Sequence, residues 1–348
     1  MKDIRWDRYP LLSQCIHGRK WLTIQSNLGL SPNTIDAYGR GLEDYLTFSH
    51  RSNTSIEAAK KEHIALYVND LTSRKNPHGA NIRVLNSGAG LANATLQQRL
   101  TAVRLFYDYL MEEGLRQENP VGRGRYTPGK GFAGHRDRGL IPRYRKLPWI
   151  PDEEQWQQIL RVVQEEPLRN RFMFALTYDA ALRREEICSL QTDDIDPARR
   201  FIHIRAETTK GRATERVIPY SEATSKLYMS YLSERRLLSR QRGSLFLSES
   251  RRNRAAPISI WTWSKVIEDI ARRAEVHQFT THTLRHLCLT DLARSHWDIH
   301  EISTFAGHRN LQTTMLYIHL SGRELADKFA RGMASIHAWR SETIVEIL

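Results

Sequence analysis

The chain of 348 residues has little cysteine, no long apolar run and no apolar leader at its start. Its three cysteines, Cys15, Cys188 and Cys288, are odd in number and widely spaced, which excludes a disulfide framework and a Cys-x-x-Cys zinc site. No stretch approaches the ~18 apolar residues of a membrane span, and residues 1–12 mix charges as signal peptides do not. We therefore expect a cytoplasmic protein with no membrane partner.

The charge balance favours a polyanionic partner. The chain carries 52 Lys and Arg against 39 Asp and Glu, a net charge of +13. Hydrophobic residues make up 40%, enough for a packed core, and the length suggests two domains. An excess of cations on such a chain points to nucleic acid or to an anionic membrane surface.

More than half of the net charge lies in one segment, residues 121–150, which contains eight Lys and Arg, one Asp, six Gly and three Pro. This composition disfavours regular structure and predicts a linker between domains at 1–120 and 151–335, with a C-terminal tail at 336–348. The linker is either a solvated hinge or a strap along a phosphate backbone. The second interpretation assigns six of its cations to the DNA backbone: Arg123, Arg125, Lys130, Arg143, Arg145 and Lys146.

The pattern before the linker is helical. Ser31 and Pro32 are typical of a helix start, as N-cap and first helical residue. Apolar spacings of three and four predict further helices over 55–71 and 93–113, the latter ended by Gly114. With another helix before Ser31, this region is predicted to be a small helical bundle.

The pattern after the linker predicts more helices and two strands. A helix opens at about residue 152, where acidic residues suit the helix dipole, and 172–178 is predicted to be a buried helix. Residues 201–205 and 217–219 are predicted strands joined by a polar turn. Further helices are predicted at 221–237, 260–274, 282–294, 298–306 and 324–340. The predicted fold class is mainly α with a small β-sheet.

Four short stretches combine cations, histidines and a tyrosine, and they contain Arg183 with Glu186, Lys210, His282 with Arg285, and His308 with Tyr317. Singly, each has an ordinary explanation: Arg183 as a surface arginine, Lys210 as a solvated lysine, Tyr317 as a core or strand residue. His282 and His286 have zinc-ligand spacing, but no third ligand is evident, so we predict no metal.

Together these side chains suit covalent cleavage of a phosphodiester. Two guanidinium groups match the two non-bridging oxygens of the phosphate. A phenol is a weak nucleophile at its ordinary pKa, so a cationic field or a base must assist it. A lysine can protonate the leaving oxygen, and a histidine can move a proton near neutral pH.

The order and spacing of the motifs carry a resemblance to a known family. Residues 181–187 look like a "GLRxxEL" box with Ala181 in place of the usual Gly, 282–286 match "HxLRH", and 307–319 match "GHxxxxTTxxYxH". Residues 30–38 look like the start of an N-terminal core-binding domain. From about residue 21 to about residue 335 the chain resembles the tyrosine recombinases, also called phage integrases.

The resemblance implies a role for each residue around the phosphate. Tyr317 would attack the scissile phosphate, form a 3′-phosphotyrosyl link and release a 5′-hydroxyl. Arg183 and Arg285 would hold the non-bridging oxygens, with a further hydrogen bond from His308.

The remaining implied roles concern protons and orientation. Lys210 would protonate the leaving 5′-oxygen, His282 would serve as acid and base, and Glu186 would orient Arg183. The bond energy stays in the protein–DNA link, so the resemblance implies neither ATP nor metal nor any other cofactor.

The resemblance also implies an architecture and partners. We expect a two-domain C-shaped clamp, with a helical core-binding domain and a catalytic domain on double-stranded DNA. Rejoining would pass through a Holliday junction in a homotetramer on two recombination sites, in integration, excision, transposition or resolution of a mobile element. Other recombinases and accessory DNA-bending proteins are further candidate partners, and the tail packs either within its subunit or on a neighbour. A type IB topoisomerase and a non-catalytic DNA-binding regulator remain the alternatives.

Overall fold

The computed structural model describes residues 4–74, 91, 93–122, 141, 147–208, 215–322, 329 and 331–332. The chain divides into two compact units, Met1–Arg145 and Lys146–Leu348. This division falls within the predicted linker, most of which, with its six candidate DNA contacts, lies outside the described residues. The predicted helix at 324–340 and the tail also lie almost entirely outside them, so the linker and tail assignments stay predictions.

The first unit is helical, as predicted, and its described helices are α1 Pro10–Gln14, α2 Ile16–Asn27, α3 Pro32–Arg51, α4 Lys61–Ser73 and α5 Asn93–Glu112. The predicted N-cap is confirmed, since the Ser31 side chain accepts from the backbone N–H of Thr34. The predicted start of α4 at Ser55 is wrong. The carbonyls of Ile56, Glu57 and Ala59 accept hydrogen bonds from Arg116, which pins these residues in a separate turn.

The core of the first unit lies between α3 and α5. A Cβ added to Gly41 on α3 would stand 3.1 Å from the Cβ of Ala102 on α5, so the missing side chain permits a close helix approach. Fully buried aromatic rings fill the space beside this contact, and the hydroxyls of Tyr45 and Tyr107 share a hydrogen bond of 2.7 Å. Burial of these large rings is the main stabilising contribution.

The second unit is mostly helical with one small sheet, which confirms the predicted fold class. Its helices are α6 Glu153–Gln164, α7 Leu168–Asp179, α8 Arg184–Ser189, α9 Glu222–Leu238, α10 Ile260–Arg273, α11 Thr281–Arg294, α12 Ile299–Ala306 and α13 Leu311–Ser321. Its strands are β1 Ile195–Asp196, β2 Phe201–Ile204 and β3 Arg216–Pro219, antiparallel in that order. The two-residue β1 is too short to show a strand pattern in the sequence.

The second core is built around α7 and the inner face of the sheet. Phe172, Met173 and Phe174 are consecutive and all buried, so α7 is enclosed on most sides. On β3 the side chains of Arg216 and Ile218 are buried, whereas Val217 is exposed. An arginine therefore occupies a position on the core-facing side of the sheet, where it needs a partner.

Among the described residues, no helix is long and apolar enough to span a bilayer.

Candidate active site

Arg285 on α11 is almost fully buried and is held by backbone carbonyls from two other segments. Its guanidinium donates to the carbonyl of Ala181, in the loop before α8, and to the carbonyl of Ala306, at the end of α12. Burial, followed by the charge of Arg183, lowers the pKa of Arg285 to about 10. The group remains a cation at neutral pH, fixed in place before it meets any ligand.

The loop that receives Arg285 adopts a backbone conformation suited to glycine. Ala181 has φ +46° and is fully buried. A Cβ in this left-handed region costs roughly 1–2 kcal/mol. The conformation explains why the motif that residues 181–187 resemble has Gly here.

Arg183 lies next to this loop, and its guanidinium is brought close to that of Arg285. Arg183 donates to the carbonyl of Gly307 at 3.1 Å, and Arg285 donates to the preceding carbonyl, that of Ala306. Because the two arginines bond to consecutive carbonyls, their guanidinium groups lie near each other at the end of α12. This pair provides two guanidinium groups that can bind one anionic group together.

His308 follows directly and connects this backbone to both Arg285 and α13. Its Nε2 is 3.0 Å from a guanidinium nitrogen of Arg285, and its Nδ1 is 2.9 Å from the hydroxyl of Thr314. Since arginine can only donate, Nε2 of His308 accepts, and Nδ1 carries the proton. Burial, followed by the charges of Arg285 and Arg183, lowers the pKa of His308 to about 3, so the ring is neutral near pH 7.

Tyr317 lies in the helix α13 with its side chain buried among apolar neighbours. Its ring stacks on His308 at a centroid distance of 5.9 Å, and its hydroxyl is 3.0 Å from Nδ1 of His286. Burial raises the pKa of Tyr317, and the charges of Arg285 and then Arg183 act against that rise. The phenol is thus protonated at rest beside two cations that favour its ionised form.

Glu186 joins Arg183 to Arg216 in a buried ion network. Its two carboxylate oxygens accept four hydrogen bonds, from the backbone N–H and guanidinium of Arg183 and from two nitrogens of Arg216. Although burial acts to raise it, the hydrogen bonds and charge of Arg216, with those of Arg183, lower the pKa of Glu186 to about 2. All acceptor positions of the carboxylate are therefore used, and the expectation that Glu186 orients Arg183 has a geometric basis.

Arg216 also packs against the segment that carries His308. A Cβ added to Gly307, which has φ +61°, would stand 3.0 Å from a guanidinium nitrogen of Arg216. Only a residue without a side chain allows this approach and the left-handed backbone together. The β3 strand, the start of α8 and the end of α12 meet at this point.

Other predicted residues are placed differently or not described. His282 is exposed at the start of α11, with its ring centroid 5.5 Å from that of His286. Lys210 lies in residues 209–214, outside the described part of the chain, and the side chain of His319 is likewise not described. Among the described residues no three His, Cys, Asp or Glu side chains cluster as metal ligands.

Sequence reasoning misses two residues that the structure brings to this site. His286 ends the "HxLRH" match but is given no role there, and its spacing from His282 suggests only a metal site, yet its ring contacts the hydroxyl of Tyr317. Arg216 belongs to none of the motifs. The one signal for Arg216 is its position two residues before Ile218, which places this charged side chain on the same, buried face of the strand.

Comparison with known proteins identifies the family behind this geometry. Residues 151–324, which contain every group described above, match the sequence model described as "Phage integrase family". The chain belongs to the phage integrase family. Residues 21–114 of this integrase match the model "Phage integrase, N-terminal SAM-like domain". The predicted family and enzyme class, a tyrosine-type site-specific recombinase, are confirmed.

Curated relatives of the integrase carry recombinase names. It is 27% identical over 301 residues to "Tyrosine recombinase" of Thermosipho africanus, covering 85% of this chain and 92% of the relative. It is 29% identical over 306 residues to "Tyrosine recombinase XerD" of Caulobacter vibrioides, covering 84% and 88%.

Solved structures share the fold. XerH recombinase bound to a palindromic difH substrate matches with a TM-score of 0.61 and 19% identity, covering 85% of this chain and 79% of that one. The Tn1549 transposon integrase in complex with transposon right-end DNA matches with a TM-score of 0.61 and 15% identity, covering 88% and 97%. At these identities the likeness is one of fold.

Proposed function

We propose that this integrase exchanges strands between two double-stranded DNA sites through a 3′-phosphotyrosine intermediate at Tyr317. The phenol oxygen bonds to phosphorus as the bond to the 5′-oxygen breaks. The observation that carries the proposal is the end of α12, where consecutive backbone groups hold Arg183 and Arg285 beside His308, on which Tyr317 stacks. A phosphate bound by the two guanidinium groups meets the phenol there.

The remaining groups complete the reaction. Lys210 gives its proton to the leaving 5′-oxygen, and His282, as acid and base, takes the proton that the phenol loses as it bonds to phosphorus. His308 contributes a hydrogen bond to the phosphate, which requires that its Nε2 release Arg285 and carry the ring proton, while Nδ1 accepts from the hydroxyl of Thr314. The linker cations bind the DNA backbone, and a homotetramer on two synapsed sites passes through a Holliday junction.

A trapping experiment tests the proposal with no target sequence chosen in advance. Nicked duplexes of random sequence are incubated with the protein, and detergent-resistant protein–DNA adducts are sequenced. A nick near the cleavage point lets the short product diffuse away, so the adduct accumulates. We expect one enriched duplex that is joined at its 3′-phosphate, and absence of any adduct would contradict the proposal.

The enriched duplex then separates a recombinase from a topoisomerase. Two copies placed on one plasmid should yield deletion or inversion products. Relaxation of supercoils without such products would favour the type IB topoisomerase alternative.

We expect Lys210→Ala to slow cleavage by about 10²–10⁴-fold and to leave DNA affinity nearly unchanged, because a general acid acts only in the transition state. Lys210→Arg should be equally slow, since its guanidinium keeps the charge but does not release a proton. Single-turnover cleavage of the enriched duplex measures both.

The control for Lys210 replaces the bridging 5′-oxygen of that duplex by sulfur. A thiolate leaves without protonation, because thiols are far stronger acids than alcohols, so the Lys210 variants should cleave this duplex at the wild-type rate. If the Lys210 variants also cleave the sulfur-containing duplex slowly, Lys210 acts in DNA binding or positioning instead.

A further inference from the structure

His286, and not the predicted acid–base residue His282, contacts the tyrosine hydroxyl. The two histidines are one helical turn apart on α11, with ring centroids 5.5 Å apart, and the next ring in the row is that of Tyr317, 5.7 Å from His286. The ring of His308 also neighbours that of Tyr317, with a centroid distance of 5.9 Å. The phenol ring therefore has two imidazole neighbours.

The direction of the hydrogen bond between His286 and Tyr317 follows from their protonation. Burial, followed by His282 and Arg285, lowers the pKa of His286 to about 4, so this ring is neutral near pH 7. Burial raises the pKa of Tyr317, so the hydroxyl keeps its proton. The phenol O–H therefore donates, Nδ1 of His286 accepts, and the ring proton lies on Nε2.

The same protonation states exclude His286 as the base that removes the phenol proton at rest. The phenol is the weaker acid by a wide margin, so transfer of its proton to this imidazole is unfavourable. A hydrogen bond that cannot transfer its proton can still fix the orientation of the hydroxyl. Arg285 and Arg183 are the groups whose charges favour ionisation of the phenol.

We propose that His286 is a positioning residue, which accepts the hydrogen bond of Tyr317 and holds the nucleophile beside the phosphate-binding arginines. The kinetic part of this inference rests on the proposed function, whereas the contact itself does not. The phenol ring also stacks on His308, which is hydrogen-bonded to Arg285 and Thr314. His286 thus accepts from the hydroxyl of Tyr317, and the side chain of Arg285 also hydrogen-bonds to this phenol.

Three substitutions at position 286 distinguish whether the side chain acts as a hydrogen-bond acceptor, as a base or only by packing. The amide oxygen of Asn stands the same number of bonds from Cβ as Nδ1 does, so His286→Asn keeps an acceptor but no base. His286→Gln moves the oxygen one bond further out, and His286→Leu removes it. The readouts are single-turnover cleavage of the enriched nicked duplex, affinity for that duplex, and thermal unfolding.

We expect His286→Leu and His286→Gln to cleave about 10²-fold more slowly, because a misplaced nucleophile loses rate without losing substrate binding. His286→Asn should cleave within about fivefold of wild type, since it restores an acceptor at the same place. DNA affinity should be unchanged in all three. Wild-type rates in the Leu and Gln variants would overturn the inference, and so would an Asn variant as slow as Leu.

A second measurement needs neither DNA nor cleavage. With 3-fluorotyrosine placed only at position 317, the fluorine NMR signal should shift in the Leu and Gln variants and return close to wild type in Asn. An identical signal in all four proteins would show that the contact does not exist. If the wild type fails to cleave, the proposed function fails, and this signal still decides whether His286 holds the hydroxyl.

Discussion

A Tyr317→Phe integrase is expected to bind the enriched duplex normally and to form no covalent adduct. The substitution removes only the hydroxyl, and the ring that stacks on His308 is kept. With no oxygen to bond to phosphorus, adduct formation should fall by at least about 10³-fold, to the detection limit. DNA affinity should stay within about twofold, because it comes mainly from phosphate contacts elsewhere. Detergent-resistant adducts on the nicked duplex and a binding titration measure the two effects.

Tyr178→Phe is the matched control for this prediction. Tyr178 packs against the same apolar cluster as Tyr317, and its hydroxyl donates to Asp291 at 2.8 Å. Loss of that one hydrogen bond costs roughly 1 kcal/mol of stability and removes no group from the phosphate site. Tyr178→Phe should therefore form adduct as wild type does. An adduct in Tyr317→Phe would mean that another residue is the nucleophile.

Most helices of both units were predictable because their signals are local, whereas α1, α8 and α13 were not predicted. The cap at Ser31 and the C-terminal Gly114, which has φ +72°, depend on a few neighbouring residues. The turn at 56–59 was not predictable, since it depends on Arg116, about sixty residues away. Tertiary contacts of this kind override local helix preference.

The residues of the phosphate site were predictable from motif order, but their supporting contacts were not. The motif at 181–187 indicates Arg183 and Glu186 and says nothing of Arg216, which lies thirty residues beyond its partner. Likewise, the spacing of His282 and His286 is equally consistent with metal ligands and with one member facing Tyr317. Only the packing of α13 on α11 decides which.

The second large effect is expected at Glu186, whose replacement should destabilise the second unit and misplace Arg183. Glu186→Gln puts an amide NH₂ among donors of Arg183 and Arg216 and leaves the buried Arg216 and the partly buried Arg183 without a counter-charge. Breaking a buried ion pair in this way costs about 3–5 kcal/mol. Urea unfolding of the full chain measures the loss, and adduct formation should fall with it.

The pH dependence of this effect has a definite sign. The pKa of Glu186 is lowered in the folded chain to about 2, so its contribution is fully present above the ordinary pKa of a glutamate. It is lost as pH falls from about 5 towards about 2, and the full contribution is roughly 3 kcal/mol. The difference in unfolding free energy between wild type and Glu186→Gln should therefore be constant near neutral pH and shrink in acid.

Glu185→Gln distinguishes the contribution of the buried hydrogen-bond network from the contribution of charge alone. Glu185 is the adjacent residue, carries the same charge and pairs with Arg184 at 3.0 Å, but about half of its side chain is exposed. An exposed ion pair contributes about 0–1 kcal/mol, so this variant should unfold and cleave nearly as wild type does. Equal losses in the two variants would show that net charge near the start of α8 is what matters. A loss confined to Glu186→Gln would instead assign it to the four hydrogen bonds that tie Arg183 to Arg216.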